Sequence, residues 1–250
     1  METLIVKNIS KSFETAVKTG SENLLFSDGK IKALDDISFS LSNGICIIAG
    51  ANGAGKSLLM SIIAGLESPD SGSVFTAGKA GLIFQDPESQ ILGETPREDI
   101  SFAPKNLKLS KEEINFRVLS ALKETGLLDK ADYPARFLSG GEKKRLSIAG
   151  ILAMDAEIIV FDEPYANLDY PSIIQINQII SNLNNKSKTI IILTHEIEKC
   201  LAFSNRFIVL HKGKLVFDAS PKEALLQDLK VWGIHNPIGA YEKIEDMIWI

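Results

Sequence analysis

The eight residues GANGAGKS, from Gly50 to Ser57, constrain the fold of this chain more than any other stretch. They match the pattern G-x-x-x-x-G-K-[ST], directly after the apolar run ICIIAG at 45–50 and before a helical pattern at 56–65. In that context the glycines let the main chain wrap closely around an anion, and its amide groups and the helix N-terminus point at phosphates. The stretch therefore predicts an α/β protein that binds a nucleotide.

Separate positions of this phosphate loop have separate predicted roles. Gly50, Gly53 and Gly55 allow the close main-chain approach, Lys56 neutralises the β and γ phosphate oxygens, and Ser57 ligates Mg²⁺. The remaining loop positions predicted to bind the nucleotide are Asn52, Ala54 and Leu58. Lys56 is also expected to act during hydrolysis, because it faces the group that is transferred.

Short β-branched runs recur along the whole chain. They occupy 4–9, 37–41, 45–50, 80–84, 157–162, 189–194, 206–210 and 214–218. The middle runs are fully apolar and are separated by helical patterns, as expected for a parallel sheet covered on both faces, whereas the early and late runs resemble hairpin strands. Helical patterns lie at 56–65, 111–125, 140–153, 172–183 and 196–203. The pattern predicts an α/β fold with an antiparallel part and an inserted helical subdomain.

The 250 residues suit one domain with a subdomain. We expect a single domain over 1–225, with a core of 1–85 and 151–225 and an inserted segment at 86–150. The polar stretch 14–32 is predicted to be a long hairpin loop. The tail 226–250, which contains Trp232, Tyr241 and Trp249, either contacts a second subunit or packs on its own domain.

The bulk composition excludes several classes of function. A net charge of −5 argues against nucleic-acid binding, which needs a concentrated basic face. Cys46 and Cys200 are far apart and outside any metal-ligand spacing, so we expect two buried thiols in a reducing compartment. The N-terminus does not read as a signal peptide, and no apolar run reaches the roughly 20 residues that span a bilayer. A membrane role would therefore require a partner.

The run EIIVFDEP at 157–164 predicts a second functional element. It is an apolar strand that ends in Asp162, which places a carboxylate at the edge of the sheet where α/β proteins bind ligands. Asp162 is expected to hold Mg²⁺, and the adjacent Glu163 to polarise the water that attacks the γ-phosphorus. Consecutive acids at a strand end are more often a solvated turn, but the complete phosphate loop upstream reverses that preference.

The run FLSGGEKKR at 137–145 narrows the class of ATPase. Ser139, Gly140 and Gly141 open a predicted helix and would form a second anion site of amides and a hydroxyl. The run resembles the signature motif of ABC-type ATPases, which reads LSGGQ in most members. Glu142 replaces the usual glutamine, a departure that we expect to be tolerated.

The resemblance to ABC ATPases extends over about residues 3–225 and implies roles for further residues. Gln85 corresponds to the glutamine that senses Mg²⁺ and the attacking water. Asp169, in the run ANLD, corresponds to the residue that contacts the other subunit, and His195 to the switch histidine that contacts the γ-phosphate. His211 and His235 have no such context and are expected at the surface.

The same resemblance implies the fold and the assembly. The fold would be that of a P-loop NTPase with a RecA-like core, an antiparallel β subdomain and an inserted α-helical subdomain. Two such domains pack head to tail, so each ATP lies between one phosphate loop and the partner's signature turn at 139–141. The adenine ring would stack on Phe13 or, as a second choice, on Phe26, although either ring could be ordinary hairpin packing. Leu58 stands where many relatives carry a second hydroxyl.

Three kinds of ABC protein remain open: a transporter subunit, a soluble mechanoenzyme acting on DNA or ribosomes, and a subunit that binds nucleotide without hydrolysing it. DNA-repair members carry long coiled-coil insertions and ribosome-acting members usually have two cassettes, and this chain shows neither. Lys56, Ser57, Asp162, Glu163 and His195 are all present, which argues against a degenerate subunit. A transporter subunit is therefore favoured.

Two local runs point to one transporter subgroup. QDPESQILGETPREDISFAPKNL from Gln85 and IAGILAMDAEIIVFDEP from Ile148 resemble the ATPases of energy-coupling factor transporters and of their cobalt and nickel relatives. The resemblance implies a second ATPase, identical or paralogous, a transmembrane coupling protein, and a small membrane protein that captures a vitamin or metal ion. The ATPase would sit at the cytoplasmic side of the membrane. Residues 87–96 are expected to form a short helix and turn that present Ile91 and Leu92 to the coupling protein.

Overall fold

The computed structural model describes residues 2–14, 26–27 and 30–238, which form two sheets and a group of helices. The strands are β1 (Leu4–Glu14), β2 (Phe26–Ser27), β3 (Lys30–Leu41), β4 (Gly44–Ala49), β5 (Ser71–Thr76), β6 (Ala80–Ile83), β7 (Ile158–Asp162), β8 (Thr189–Leu193), β9 (Arg206–His211) and β10 (Lys214–Ala219). The helices are α1 (Lys56–Ile63), α2 (Pro96–Asn106), α3 (Lys111–Glu124), α4 (Gly140–Ala153), α5 (Tyr170–Asn185) and α6 (Pro221–Ala224).

The central sheet has six strands in the order β10-β9-β4-β8-β7-β6. All neighbouring pairs are parallel except β10 with β9. The parallel strands are buried on both faces, which explains why β4, β7 and β8 read as uninterrupted apolar runs. One face packs against α5, and the other packs against α1 and the second sheet. The carboxyl ends of the parallel strands therefore meet at one edge, where α/β proteins bind ligands.

The second sheet is antiparallel and has the order β2-β3-β1-β5. Leu4, Val6 and Ile9 of β1 and Leu34 and Ile37 of β3 are buried on its inner face, in the same core as α1. This sheet covers one face of the central sheet next to the phosphate loop.

Helices α2, α3 and α4 form the inserted subdomain, which has a small core of its own. Local signals start each helix: the side chains of Thr95, Ser110 and Ser139 accept hydrogen bonds from the main chain of the first turn. The first turn of α4 is a complete capping box, in which Glu142 bonds back to the main-chain N–H of Ser139. The signature run therefore forms the N-terminus of a helix.

The structure confirms the predicted α/β fold with an antiparallel part and an inserted helical part. Four elements were missed: the two-residue strand β2, the partly exposed strand β5, the helix α2, which contains Pro104, and the four-residue helix α6. The predicted helix at 196–203 was wrong, because this stretch forms two short 3-10 helices, Ile197–Lys199 and Leu201–Phe203. Most of the predicted loop at 14–32 lies outside the described residues, although β2 pairs with the start of β3.

Residues 226–238 of the tail pack on their own domain. Leu229 and Ile234 are buried in the core under α5, and the Trp232 ring lies 5.6 Å from the Phe217 ring. Tyr241 and Trp249 lie outside the described residues. The first half of the tail thus packs on its own domain, and a contact of the tail with a second subunit stays a prediction.

Both cysteine thiols are buried, as the sequence predicted. Burial raises the pKa of the Cys46 thiol and also that of the Cys200 thiol. Across the described ranges, no helix combines the length and the hydropathy needed to span a membrane.

Candidate active site

The phosphate loop connects the end of β4 to the start of α1, at the edge where the parallel strands end. A cleft of about 270 Å³ opens over it. The residues that line the cleft are Ala33, Asn52, Gly53, Ala54, Gly55, Lys56, Ser57, Leu58, Gln85, Asp162 and Glu163. The structure thus brings the loop together with the first glutamine of the QDPESQ run and with both acids at the end of β7, Asp162 and Glu163.

Two glycines of the loop occupy places that no other residue fits. Gly50 has φ +148°, and a Cβ there would lie 2.1 Å from the carbonyl oxygen of Leu210. Gly55 has φ +98° and precedes α1, and its Cβ would lie 2.7 Å from a methyl group of Leu34. A side chain at either position would displace the main chain, so the shape of the loop depends on these glycines.

Lys56 is the charged group of the loop and is only 7% exposed. Its Nζ donates hydrogen bonds to the carbonyl oxygens of Gly50 at 2.7 Å and Ala51 at 3.2 Å. Burial lowers the pKa of Lys56, and the nearby Glu163 and Asp162 carboxylates oppose that shift. The ammonium is therefore held over the loop, where it can meet phosphate oxygens.

Asp162 and Ser57 form a pair of oxygen ligands. The Ser57 hydroxyl donates a hydrogen bond to the Asp162 carboxylate, and burial raises the pKa of Asp162. Gln85 lines the same cleft and adds an amide oxygen. Mg²⁺ prefers a few oxygen ligands from the protein with phosphate and water for the rest, so this donor set fits the ion. The fit does not depend on any cluster of three or more His, Cys, Asp or Glu, and the described part of the chain contains none.

Glu163 is buried and has an unusual backbone conformation. Its φ is +44°, in the left-handed region that is unfavourable for a residue with a long side chain. Its Oε1 lies 2.9 Å from Nδ1 of His195, while its buried Oε2 has no hydrogen-bond partner among the described residues. Glu163 also lines the phosphate-binding cleft, and a carboxylate with an unpartnered oxygen is suited to accept a proton from water.

The signature residues do not line this cleft within the same chain. Ser139 and Gly140 are exposed at the N-terminus of α4, and Gly141 is buried against Ser172 of α5. Glu142 bonds to the Ser139 N–H at 2.9 Å and to Lys130 Nζ at 2.5 Å. The Glu142 carboxylate thus stabilises the N-terminal turn of α4 by hydrogen bonding.

Phe13 and Asp169, two further predicted residues, also lie outside the cleft. Phe13 is 45% exposed on β1, with Lys11 Nζ 5.7 Å from its ring, and the side chain of Phe26 lies outside the described residues. Asp169 caps α5 by accepting from the main-chain N–H of Ser172 at 3.1 Å. Hydrogen bonds from the Ser172 hydroxyl and from this N–H lower the pKa of Asp169. The adenine-stacking role of Phe13 and the subunit-contacting role of Asp169 therefore stay predictions.

Two residues next to the cleft were not predicted from sequence. Lys144 is buried in α4, and its Nζ donates to the main-chain carbonyl of Gln85 at 2.7 Å; burial lowers the pKa of Lys144 to about 8. The side chain of Gln90 bonds to the main chain of Phe84. The run QDPESQ contains Gln90, but nothing in the sequence indicates that Lys144 is buried.

A phosphate loop at the end of a parallel strand, two acids at the end of β7 and a helical insertion that begins with Ser-Gly-Gly together define a P-loop ATPase of the ATP-binding cassette type. The comparisons with known proteins agree. Residues 34–166 match the family model described as ABC transporter. The chain is 40% identical over 206 residues to the energy-coupling factor transporter ATP-binding protein EcfA of Methanocaldococcus jannaschii, covering 76% of this chain and 74% of that protein.

Solved structures show the same fold. The structure of cbiO1 from Clostridium perfringens, described as part of the ABC transporter complex cbiONQ, matches with a TM-score of 0.76 and 30% identity over 95% of this chain and 96% of that one. The ATP-binding cassette MJ0796, a dimer in a post-hydrolysis state bound to ADP and phosphate, matches with a TM-score of 0.73 and 26% identity over 87% of this chain and 98% of that one. The chain belongs to the ABC transporter family of ATPases, in the branch of the energy-coupling factor ATP-binding proteins.

Proposed function

We propose that this chain hydrolyses MgATP at the cleft over Gly50–Ser57 and powers an energy-coupling factor importer for a vitamin or a transition-metal ion. One observation carries the proposal: Lys56, Ser57, Gln85, Asp162 and Glu163 line a single cleft of about 270 Å³ although they come from three separate stretches of the chain. These are the groups that hydrolysis of a phosphoanhydride needs, namely a cation, oxygen ligands and a base.

Each group has a distinct task in the proposed reaction. The loop amides and Lys56 bind the β and γ phosphates and stabilise the charge that develops on them. Glu163 accepts the proton of the attacking water through its free Oε2, and His195 orients Glu163 through Oε1. His195 is 58% exposed at its side chain, which leaves its ring accessible for the γ-phosphate.

Mg²⁺ would be held by Ser57, Asp162 and Gln85, and it would neutralise charge on the phosphates. The Ser57–Asp162 hydrogen bond keeps these two ligands together. Asp162 would thus orient the Ser57 hydroxyl for the metal ion, while Glu163 remains free to act on water.

The proposed assembly is a head-to-tail dimer with an identical or paralogous ATPase. Ser139 and Gly140 are exposed at the N-terminus of the 14-residue helix α4, although they do not line the cleft of their own chain. A second subunit would place this turn, at the N-terminus of α4, against the γ-phosphate. Asp169, exposed at the start of α5, would contact the same partner.

The proposed membrane partner is a transmembrane coupling protein that joins a small substrate-capturing membrane protein. Leu92 is 76% exposed, and its main-chain N–H and that of Gly93 both donate to Asp99 Oδ1, at 2.7 Å and 2.9 Å. An apolar side chain held out by a fixed loop suits a partner contact. Ile91, in contrast, packs against the helical subdomain, so only Leu92 of the expected pair faces outward. The ATPase would then be peripheral, on the cytoplasmic side of the membrane.

The substitution Glu163→Gln tests the proposed chemistry. It removes the proton acceptor but keeps the size of the side chain, so we expect nucleotide affinity to be retained and ATP turnover to fall by about 100-fold or more. Turnover is measured as phosphate release by the purified full-length chain, and affinity by equilibrium binding of ATP.

The matched control for this experiment is Glu157→Gln. Glu157 directly precedes β7 and pairs with Lys188 at 3.2 Å, far along the strand from the cleft. The substitution Glu157→Gln should change ATP turnover by no more than about twofold, because surface substitutions away from the site generally have small effects. Near-normal turnover in Glu163→Gln would overturn the assignment of Glu163.

A further inference from the structure

The main chain at Phe84 and Gln85, which leads from β6 into the cleft, is held by a buried lysine of the signature helix. Lys144 lies on the second turn of α4 and is 1% exposed. Its Nζ donates hydrogen bonds to the carbonyl oxygens of Phe84 at 2.9 Å and Gln85 at 2.7 Å. The ammonium thus connects the helical subdomain directly to the residue that contributes an amide to the cleft.

Gln90 holds the same main chain from the other side. The strand β6 is the edge of the central sheet, so one row of its main-chain groups has no neighbouring strand. The Gln90 side chain takes that place: its Nε2 donates to the Leu82 carbonyl at 2.9 Å, and its Oε1 accepts from the Phe84 N–H at 2.8 Å. Both main-chain polar groups of Phe84 are therefore bonded to side chains.

Packing alone does not require a lysine at position 144. An ammonium loses hydration when it is buried, whereas an unbranched apolar side chain such as methionine would fill similar space without that cost. The lysine compensates through its two carbonyl bonds and through the nearby charges of Asp162, Asp86 and Glu163. What it adds over an apolar residue is a directional connection to the main chain of Gln85.

We propose that Lys144 and Gln90 clamp the main chain at Phe84 and Gln85, and that Lys144 is the positioning residue through which the signature helix determines where Gln85 lies in the cleft. This inference rests on the proposed function, in which Gln85 takes part in hydrolysis. A second connection, between Lys143 and Glu88 at 2.5 Å, ties α4 to the 3-10 helix just after Gln85. Movement of α4 would therefore displace Gln85 through these contacts.

The first test is Lys144→Met in the full-length chain. Because misplacement of a reacting group lowers the rate more than it lowers binding, we expect kcat to fall about 10-fold to 100-fold while the KM for ATP changes by about twofold at most. Hydrogen–deuterium exchange without nucleotide should become faster in peptides that cover residues 82–90. The control is Lys79→Met, since Lys79 also donates to a main-chain carbonyl, that of Met154 at 3.2 Å, but away from the cleft.

Two further variants separate a clamp from a general structural role. Gln90→Leu should accelerate exchange in the same peptides and lower kcat by a smaller factor than Lys144→Met does. Because position 90 is only half buried, this variant should fold and can test the clamp even if Lys144→Met does not fold. In a Gln85→Ala background, Lys144→Met should cause no further loss of kcat, because both changes remove the same contribution.

The outcomes distinguish the clamp from the proposed function. If Lys144→Met and Gln90→Leu leave kcat and exchange unchanged, or if the Lys144 and Gln85 effects on kcat simply multiply, the clamp is overturned while the assignment of Glu163 stands. If Gln85→Ala itself turns over ATP normally, the role of Gln85 and the clamp are both wrong. If Glu163→Gln turns over normally, the proposed chemistry fails, whereas the exchange rates still decide whether the clamp exists.

Discussion

The central sheet and the helical subdomain contribute to the active site in different ways. The sheet carries a cleft that is already assembled within one chain. Lys56, Asp162 and Glu163 are each at least half buried there, and their charges lie close enough to shift the pKa of Lys56 and of Asp162. The helical subdomain instead presents exposed features, the signature turn at Ser139–Gly140 and Leu92, that do not line the cleft. The cleft of the sheet is formed within one chain, whereas the exposed features of the subdomain are the surfaces that the proposed assembly would use.

In the proposed function, this difference means that nucleotide binding and ATP turnover depend on different regions of the chain. A chain alone can hold nucleotide in the cleft of the sheet, while the composite site and the link to a membrane protein depend on surfaces of the helical subdomain. Removal of a phosphate-binding group of the cleft, such as Lys56, should therefore weaken nucleotide binding, whereas substitutions in the subdomain should spare it. The three variants that follow probe that contrast, from the largest effect on ATP turnover to the smallest.

Lys56→Ala should have the largest effect, because it removes the buried cation of the cleft. The γ-phosphate would lose its charge-assisted contact, and we expect ATP affinity to fall by about 100-fold and turnover with it. Equilibrium binding by the isolated chain measures this, with Lys79→Ala as the control. Wild-type affinity in Lys56→Ala would show that the phosphate loop alone does not define the site.

Gly140→Arg should have an intermediate effect. A Cβ at Gly140 meets no atom within 4 Å, and its φ lies outside the left-handed region, so the variant should fold and bind ATP normally. An arginine there would collide with a partner subunit, and we expect turnover to fall about 30-fold together with loss of the ATP-dependent dimer in light scattering. Gly150→Arg is the control, because that position on the same helix is equally open. A wild-type dimer in Gly140→Arg would contradict the composite site.

Leu92→Ser should have the smallest effect on ATP turnover, within about twofold in the isolated chain, because the side chain is exposed. Its main chain is held by Asp99 and should not move. Recovery of membrane subunits from detergent-solubilised membranes should fall about 10-fold, as expected when an exposed apolar contact is lost. Leu66→Ser, at another exposed leucine, is the control. Equal recovery in the two variants would show that Leu92 is not part of the interface.

Much of this architecture could be predicted from the sequence because its signals are local. The phosphate loop, the apolar strand before Asp162 and the Ser-Gly-Gly turn each report on their own surroundings. Elements were missed where tertiary packing decides. The strand β5 lacks a continuous apolar run and forms by pairing with β1. The helix α2 begins with a Thr-Pro-x-Glu cap, but its internal Pro104 is unfavourable in a helix and weakens the helical pattern of the sequence.

The side-chain contacts that hold the main chain around Gln85 could not be predicted from the sequence. Lys144 reads as one of two adjacent helix lysines, and periodicity does not distinguish a buried ammonium from a solvated one. The hydrogen bonds of Gln90 form because β6 is an edge strand, and the order of strands in the sheet cannot be derived from the sequence pattern. The roles of the site residues themselves stay predictions that the variants above test.

The two native thiols have a practical consequence for spectroscopy. Cys46 and Cys200 are the only cysteines of the chain, and both are buried with raised pKa values, so neither should react readily with maleimides or spin labels. A single cysteine introduced at an exposed position of the helical subdomain could then be labelled selectively without first replacing the native ones. In the proposed dimer, the distance between two such labels, measured with and without ATP, would report whether the helical subdomain moves during the ATP cycle.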